Sequence, residues 1–353
     1  MINFNDIYQK YSTKQMMFCV VIACIPGITI QFYYCGYGII LQILIAIITA
    51  VLSELLILII RRKLVKNILT DYSAIVTAVL FGISLPPFLP FWLNIIGTFF
   101  SIVIVKQLYG GLGQNLFNPA MAGYVFLLIS SPVFMTSFKV PYDQSLNPPS
   151  LRKTISIIFY NYNYSKDIIV ESIKRNNNLT QATPLDSFKT NIYLKNKNIQ
   201  NTNSRYWYSL ICDFSKVNFI WKWINIGYFL GGIFLLWMNI ICYRIPFFFL
   251  LVLTLLSTLG CFYDSERLVS PLTNLFSGAT MLGAFFIATD PVTVPTTKKG
   301  RIIFGILIGF LVWLIRSFGG YPDAVAFAIL LANITVPLID YYTVPQVYGY
   351  NKE

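Results

Sequence analysis

Apolar residues fall in ten stretches along the chain, several of them close to the ~20 residues that a helix needs to cross about 30 Å of hydrocarbon. The pattern predicts membrane spans at Met16 to Phe32, Gly38 to Ile60, Tyr72 to Leu85, Phe91 to Val105 and Met121 to Met135. A second set follows at Phe219 to Trp237, Ile245 to Phe262, Leu272 to Ile287, Ile302 to Leu314 and Ala324 to Ile339. Helix is the expected form because, without water, every backbone N–H and C=O in the bilayer must find its partner inside the segment. Between the two sets lies a polar stretch rich in Asn, Lys and Ser. The expected architecture is therefore an all-α polytopic membrane protein in three parts: a five-helix half over 1–135, an extramembrane segment over 136–218, and a second five-helix half over 219–353.

Composition agrees, since 56% of residues are hydrophobic and only 11% charged, which excludes an ordinary soluble domain. The mean hydropathy of +0.65 points the same way. The first residues mix charge with polarity and show no cleavage site after an apolar stretch, so the first span is expected to remain in place. The formal charge of +12 reports orientation in a membrane protein rather than nucleic-acid binding. Leaving the long central segment aside, one side collects Lys10, Lys14, Arg61, Arg62, Lys63, Lys66, Lys106, Arg244, Lys298, Lys299, Arg301 and Lys352, while the other has Arg267 and Arg316. Twelve against two predicts cytoplasmic termini and a periplasmic central segment, in a bacterial inner membrane.

Six cysteines (Cys19, Cys24, Cys35, Cys212, Cys242, Cys261) show no C-x-x-C spacing and histidine is absent, so no haem, zinc or iron–sulfur centre is expected in this chain. The two halves echo one another. Lys106-Gln107-Leu108-Tyr109-Gly110-Gly111 is matched by Arg316-Ser317-Phe318-Gly319-Gly320, and Thr77 to Pro90 resembles Thr280 to Pro295. Five spans per half make such repeats inverted, with a pseudo-two-fold axis in the membrane plane. On that reading the pairs Gly110-Gly111 and Gly319-Gly320 are expected to meet near the midplane. Helix breaks are expected at Pro86-Pro87, Gly110 to Pro119, Thr289-Asp290-Pro291 and Gly319 to Asp323. Glu54 and Asp290 are the acids nearest the interior and are candidate functional groups by their depth; Glu54 pairing with Arg61 to Lys66, and Asp290 capping a helix, are the structural alternatives.

Within the central segment stands Thr180-Gln181-Ala182-Thr183-Pro184-Leu185. Together with Lys106 to Ala120, Ser277 to Pro291 and Gly319 to Gly349, it makes the chain resemble the D subunit of Rnf-type ion-translocating oxidoreductases and, more distantly, the B subunit of the sodium-translocating NADH:quinone oxidoreductase. The resemblance implies FMN held by a phosphoester on Thr183, the last residue of an [S/T]-x-A-T motif. The residue types suit that chemistry: Thr183 supplies a hydroxyl, Ala182 is small enough for a transferase to approach, and Pro184 biases Thr183 towards extended backbone. Ser277-Gly278-Ala279-Thr280 matches the motif more literally, but it lies in an apolar run and is read as close helix packing through small residues. One departure is Asn177, which stands where the family often has an acid. The resemblance further implies companion subunits (A, B, C, E and G), a flavin transferase, coupling of electrons from NADH or ferredoxin to Na⁺ or H⁺ movement, and a noncovalent riboflavin whose contacts the sequence does not assign. It implies no catalytic side chain and no metal ligand in this chain. Two other readings stay open: a passive channel or secondary transporter, and a scaffold that has lost its flavin.

Overall fold

The computed structural model describes residues 11–63, 70–136, 150–160, 219–263, 268–319 and 324–344, and among these there is no strand. Helix α1 (Thr13–Cys35) starts at a capping box, with Ser12 Oγ accepting from Gln15 N (3.3 Å) and Gln15 Oε1 from Ser12 N (3.0 Å). This arrangement satisfies two backbone donors that a helix start leaves over. The helix stops at Gly36, whose φ of 79° turns the chain into α2 (Tyr37–Ile60). Helix α3 (Ser73–Ser84) ends where Leu85 becomes extended ahead of Pro86-Pro87, as a residue before proline must. Helix α4 (Phe91–Phe99) runs on as a π-helical stretch, Phe100–Gln107. Helix α5 (Pro119–Ser130) is capped by Asn118 Oδ1, which accepts from Ala120 N and Met121 N, with Pro119 at the first position. Short helices α6 (Pro132–Thr136) and α7 (Leu151–Tyr160) follow.

The second half has α8 (Phe219–Trp237), α9 (Arg244–Tyr263), α10 (Pro271–Phe276), α11 (Thr280–Leu282, continuing as a π-helical stretch Gly283–Ile287), α12 (Lys298–Phe318) and α13 (Val325–Thr343). Among the described residues six helices, α1, α2, α8, α9, α12 and α13, are long and apolar enough to cross a membrane. The remaining four of the ten expected spans are shorter or broken. At 12 residues each, α3 and α5 rise only about 18 Å. The fifth expected span divides at Ser131-Pro132, and the eighth divides at Ser277 to Ala279, where Gly278 takes φ +62°. Ser277 to Ala279 is thus a turn between two helices, which corrects its reading as continuous helix packing: a left-handed residue cannot sit inside an α-helix. The expected breaks at Pro86-Pro87, Gly110 to Pro119 and Asp290-Pro291 all occur, and α12 ends at Phe318 as expected.

Helix pairing repeats from half to half. Helix α2 packs on α3 and α4 as α9 packs on α11 and α12; α1 meets α3 as α8 meets α11; α4 meets α5 as α12 meets α13. Across the halves α1 lies on α8 and α5 on α13. Glycines line the α1–α8 seam: a Cβ on Gly27 would strike the Tyr228 ring, one on Gly227 would meet Gly27 Cα and the Pro26 carbonyl, and one on Gly231 would meet the Ala23 carbonyl. Close backbone approach through small residues is how helices gain contact where lipid is as apolar as they are. The glycine pairs expected at the midplane do not make this contact. Gly110 and Gly111 face Gln114 and Gln107 of their own loop, and Gly319 faces Ile315 of its own helix, while Gly320 lies outside the described residues. Their φ values of +128° and +110° show what the first pair is for: left-handed turns that L side chains resist.

Candidate functional site

Two clefts enter the bundle from opposite ends. One, of about 70 Å³, is lined by Met16 and Met17 at the start of α1, Ser73 and Thr77 at the start of α3, Lys106, Asn115, Asn118, Leu235 near the end of α8, Phe285 and Phe286 in the second part of α11, and Asp290. The other, of about 80 Å³, is lined by Gln31 near the end of α1, Ile83 and Ser84 at the end of α3, Met121, Thr136, Trp221 and Tyr228 in the first part of α8, Gly278 and Ala279 ahead of α11, and Val325. Each volume has room for several waters. Helices α1 and α3 present their starts to the first cleft where α8 and α11 present their later parts, and the second cleft reverses this. Helix α1 therefore runs opposite to α8, and α3 opposite to α11. What parts the clefts is α3 and α11 themselves, together with Asn118, whose Nδ2 donates to the Ile287 carbonyl (3.4 Å) across the halves.

The Lys106 cleft holds a buried ion pair. Lys106 and Glu54 are 1% and 0% exposed, and Lys106 Nζ donates to Glu54 Oε1 (2.5 Å) and Ser73 Oγ (2.8 Å). Gln107 Nε2 also donates to Glu54 Oε1 (2.8 Å), and Arg61 Nη1 donates to the Gln107 carbonyl (2.6 Å). Glu54 Oε2 is buried and accepts no hydrogen bond. Glu54 thus pairs with Lys106, whose depth at the end of α4 it matches, rather than with Arg61, Arg62 or Lys63; Lys66 lies outside the described residues. Arg61 and Lys63 instead hold the loop after α4, Lys63 Nζ reaching the Gly110 carbonyl (3.2 Å). Asp290 lines the same cleft and also caps its turn, with Val292 N on Oδ1 (3.5 Å).

At the opposite end Arg316, 1% exposed, donates from Nη1 to the Asn274 carbonyl (2.7 Å) and from Nη2 to Thr280 Oγ1 (3.0 Å) and the Ser277 carbonyl (3.4 Å). Asn225 of α8 completes the clamp: its Nδ2 donates to the Phe276 and Gly278 carbonyls (both 3.1 Å) and its Oδ1 accepts from Met281 N (3.2 Å). Broken backbone at membrane depth survives only where protein satisfies it in this way.

Thr280 is fully buried and its hydroxyl is engaged by Arg316, Asn274 and Ser277, so no soluble enzyme reaches it. Thr183, Asn177 and the whole Thr180 to Leu185 stretch lie outside the described residues. Thr136 and Trp221, the latter two residues beyond the start of α8, both line the Tyr228 cleft. Among the described residues no three His, Cys, Asp or Glu side chains come together as a metal site. Sequence reasoning missed the role of Lys106 and Asn225; the available signal was an acid in an apolar run, which needs a partner at equal depth.

A sequence model described as the NQR2, RnfD, RnfE family matches residues 6–349. The chain is 48% identical over 345 residues to the D subunit of the ion-translocating oxidoreductase complex of Salmonella newport, covering 98% of this chain and 97% of the relative. Proteins of the same name from Escherichia coli and Salmonella arizonae are 48% and 47% identical over the same coverage.

Proposed function

The chain belongs to the NQR2, RnfD, RnfE family, and from that premise we propose that it is the flavin-bearing membrane subunit of an ion-translocating oxidoreductase complex. The observation that carries this is the near-complete match, over 98% of this chain and 97% of the relative, to subunits of that name. A subunit of such a complex works with others, here the A, B, C, E and G components, which deliver electrons from NADH or ferredoxin while Na⁺ or H⁺ crosses the membrane.

FMN is attached to Thr183 through a phosphoester made by a flavin transferase, and when bound it supplies the redox chemistry. A noncovalent riboflavin is a further cofactor of the same reading. Orientation supports the attachment. Arg61 and Lys63 are bonded to the Gln107 to Gly110 stretch, and Lys14 lies over the Tyr72 ring at 5.4 Å, all at the Lys106-cleft end. Basic residues favour the cytoplasmic side, so the segment over 136–218, which departs from the Tyr228-cleft end, is periplasmic, both termini are cytoplasmic, and the membrane is the bacterial inner one. The chain's own contribution to ion movement is the pair of clefts, each reaching inward to α3 and α11.

The paired clefts also favour a second reading, a passive channel or secondary transporter, which needs no flavin. Ultraviolet fluorescence of the denatured protein, with mass spectrometry of the Thr183 peptide from cells expressing a flavin transferase, separates the two. Thr183→Val is expected to abolish covalent flavin while the protein still assembles, and Thr280→Val to leave it in place. An unmodified Thr183 in a complex that still couples electron transfer to ion movement overturns the site.

A further inference from the structure

A buried cation stands at the matched place in each half. Lys106 lies near the end of α4 and Arg316 near the end of α12, and each donates to the first residue of the short helix in its own half, Ser73 of α3 (2.8 Å) or Thr280 of α11 (3.0 Å). The partners differ. Arg316 is forked across two backbone carbonyls and a hydroxyl, a planar and directional grip. Lys106 is a point charge facing a cleft, bonded to one oxygen of a carboxylate whose second oxygen accepts nothing.

We propose that Lys106 and Arg316 are positioning residues that pin the two short helices between the clefts, and that Lys106 is the movable pin and Arg316 the fixed one. The proposal rests on the ion-translocating reading. A cation entering the Lys106 cleft meets the ammonium in surroundings of low dielectric, where like charges repel far more than in water. The ammonium yields by turning from Glu54 Oε1 to the vacant Oε2, which keeps the ion pair and lets go of Ser73. Released at its start, α3 shifts, and because Ser73 and Thr77 line one cleft while Ile83 and Ser84 line the other, one movement alters both. Arg316 cannot yield this way, because a guanidinium that moves gives up three acceptors at once, the Asn274 and Ser277 carbonyls and the Thr280 hydroxyl.

The test uses the whole complex in sealed proteoliposomes, reading electron-transfer rate and charge moved per electron. Wild-type complex without charge movement refutes the ion-translocating reading itself and is recognisable as that. Given a coupled wild type, the double variant Glu54→Gln/Lys106→Met, which leaves no unpaired buried charge, is expected to keep electron transfer. Its charge moved per electron is expected to fall about tenfold, the change that loss of one or two hydrogen bonds makes to a two-state population. Lys106→Arg keeps the positive charge and is expected to retain most of the coupling. Arg316→Lys is expected to lower the yield of assembled complex without changing charge per electron. Wild-type coupling in the neutral double variant overturns the proposal, as does a fall in both readouts by the same factor. An Arg316→Lys effect on coupling equal to that of the double variant removes the distinction between the pins and overturns it too. Failure of the double variant to assemble, beside a Lys106→Arg complex that is wild type throughout, assigns the pair to folding alone and likewise overturns the proposal.

Discussion

In the first half α3 begins at a buried ammonium paired with a carboxylate, whereas in the second half α11 begins at a guanidinium spread over carbonyls and a hydroxyl. Both halves face one problem, a helix that starts inside the bundle with its backbone groups short of partners. The first half holds the helix start by a side chain, with Glu54, Lys106, Gln107 and the Ser73 hydroxyl in one network. The second bonds the backbone itself, Asn225 Oδ1 accepting from Met281 N while Asn225 Nδ2 and Arg316 donate to carbonyls before Thr280. At these matched places the two cations differ in what they hold, Lys106 a carboxylate and a hydroxyl, Arg316 two carbonyls and a hydroxyl. Charge on charge is adjustable but fragile when one member is lost; a fork on carbonyls is less adjustable and spreads its stabilisation over several bonds.

The largest effect should come from stranding a charge. Lys106→Met leaves Glu54 buried without its cation, and breaking a buried pair from one side costs about 3–5 kcal/mol. Thermal unfolding of the purified protein in detergent should show that loss, and Glu54→Gln in the same chain should restore most of it. If Lys106→Met alone is as stable as wild type, the first half does not depend on the ion pair and the contrast between the halves collapses. A smaller effect is expected at the other pin. Thr280→Val keeps the shape but removes one acceptor of Arg316 and one donor to Asn274 and Ser277, and an unmet buried hydrogen-bonding group costs about 1–3 kcal/mol. A loss beyond that of Lys106→Met in the same unfolding assay would invert the comparison. The smallest effect belongs to the turn itself: Gly278→Ala, at φ +62°, forces an L side chain into the left-handed region for about 1 kcal/mol. Gly278→Asn should recover part of it, since asparagine tolerates that conformation better.

Much of the fold was legible in one dimension. Proline and glycine mark their breaks locally, so Pro86-Pro87, Gly110 to Pro119 and Asp290-Pro291 were readable without any tertiary information. The break at Gly278 was not, because a lone glycine in an apolar run is as compatible with helix packing as with a turn. Its conformation is selected by Asn225 and Arg316, which arrive from other helices. The glycine seam was misplaced for a related reason. Gly110 and Gly319 share a sequence motif, but each faces a residue of its own segment, Gln114 or Ile315. Gly27, Gly227 and Gly231 meet because α1 and α8 cross there, and no local feature distinguishes them from other membrane-helix glycines.

Sequence alone determined that this chain is helical and membrane-spanning. Those properties follow from the summed hydrophobicity of contiguous residues and from backbone breakers. It also carried the family, through motifs spread across nearly the whole chain. Only the tertiary structure decided which charges are partners, with Glu54 meeting Lys106 across 52 residues of chain, and where the clefts open and what parts them. A buried polar group must find a partner at its own depth or incur the full cost of its desolvation, and depth in the bundle is set by how helices pack.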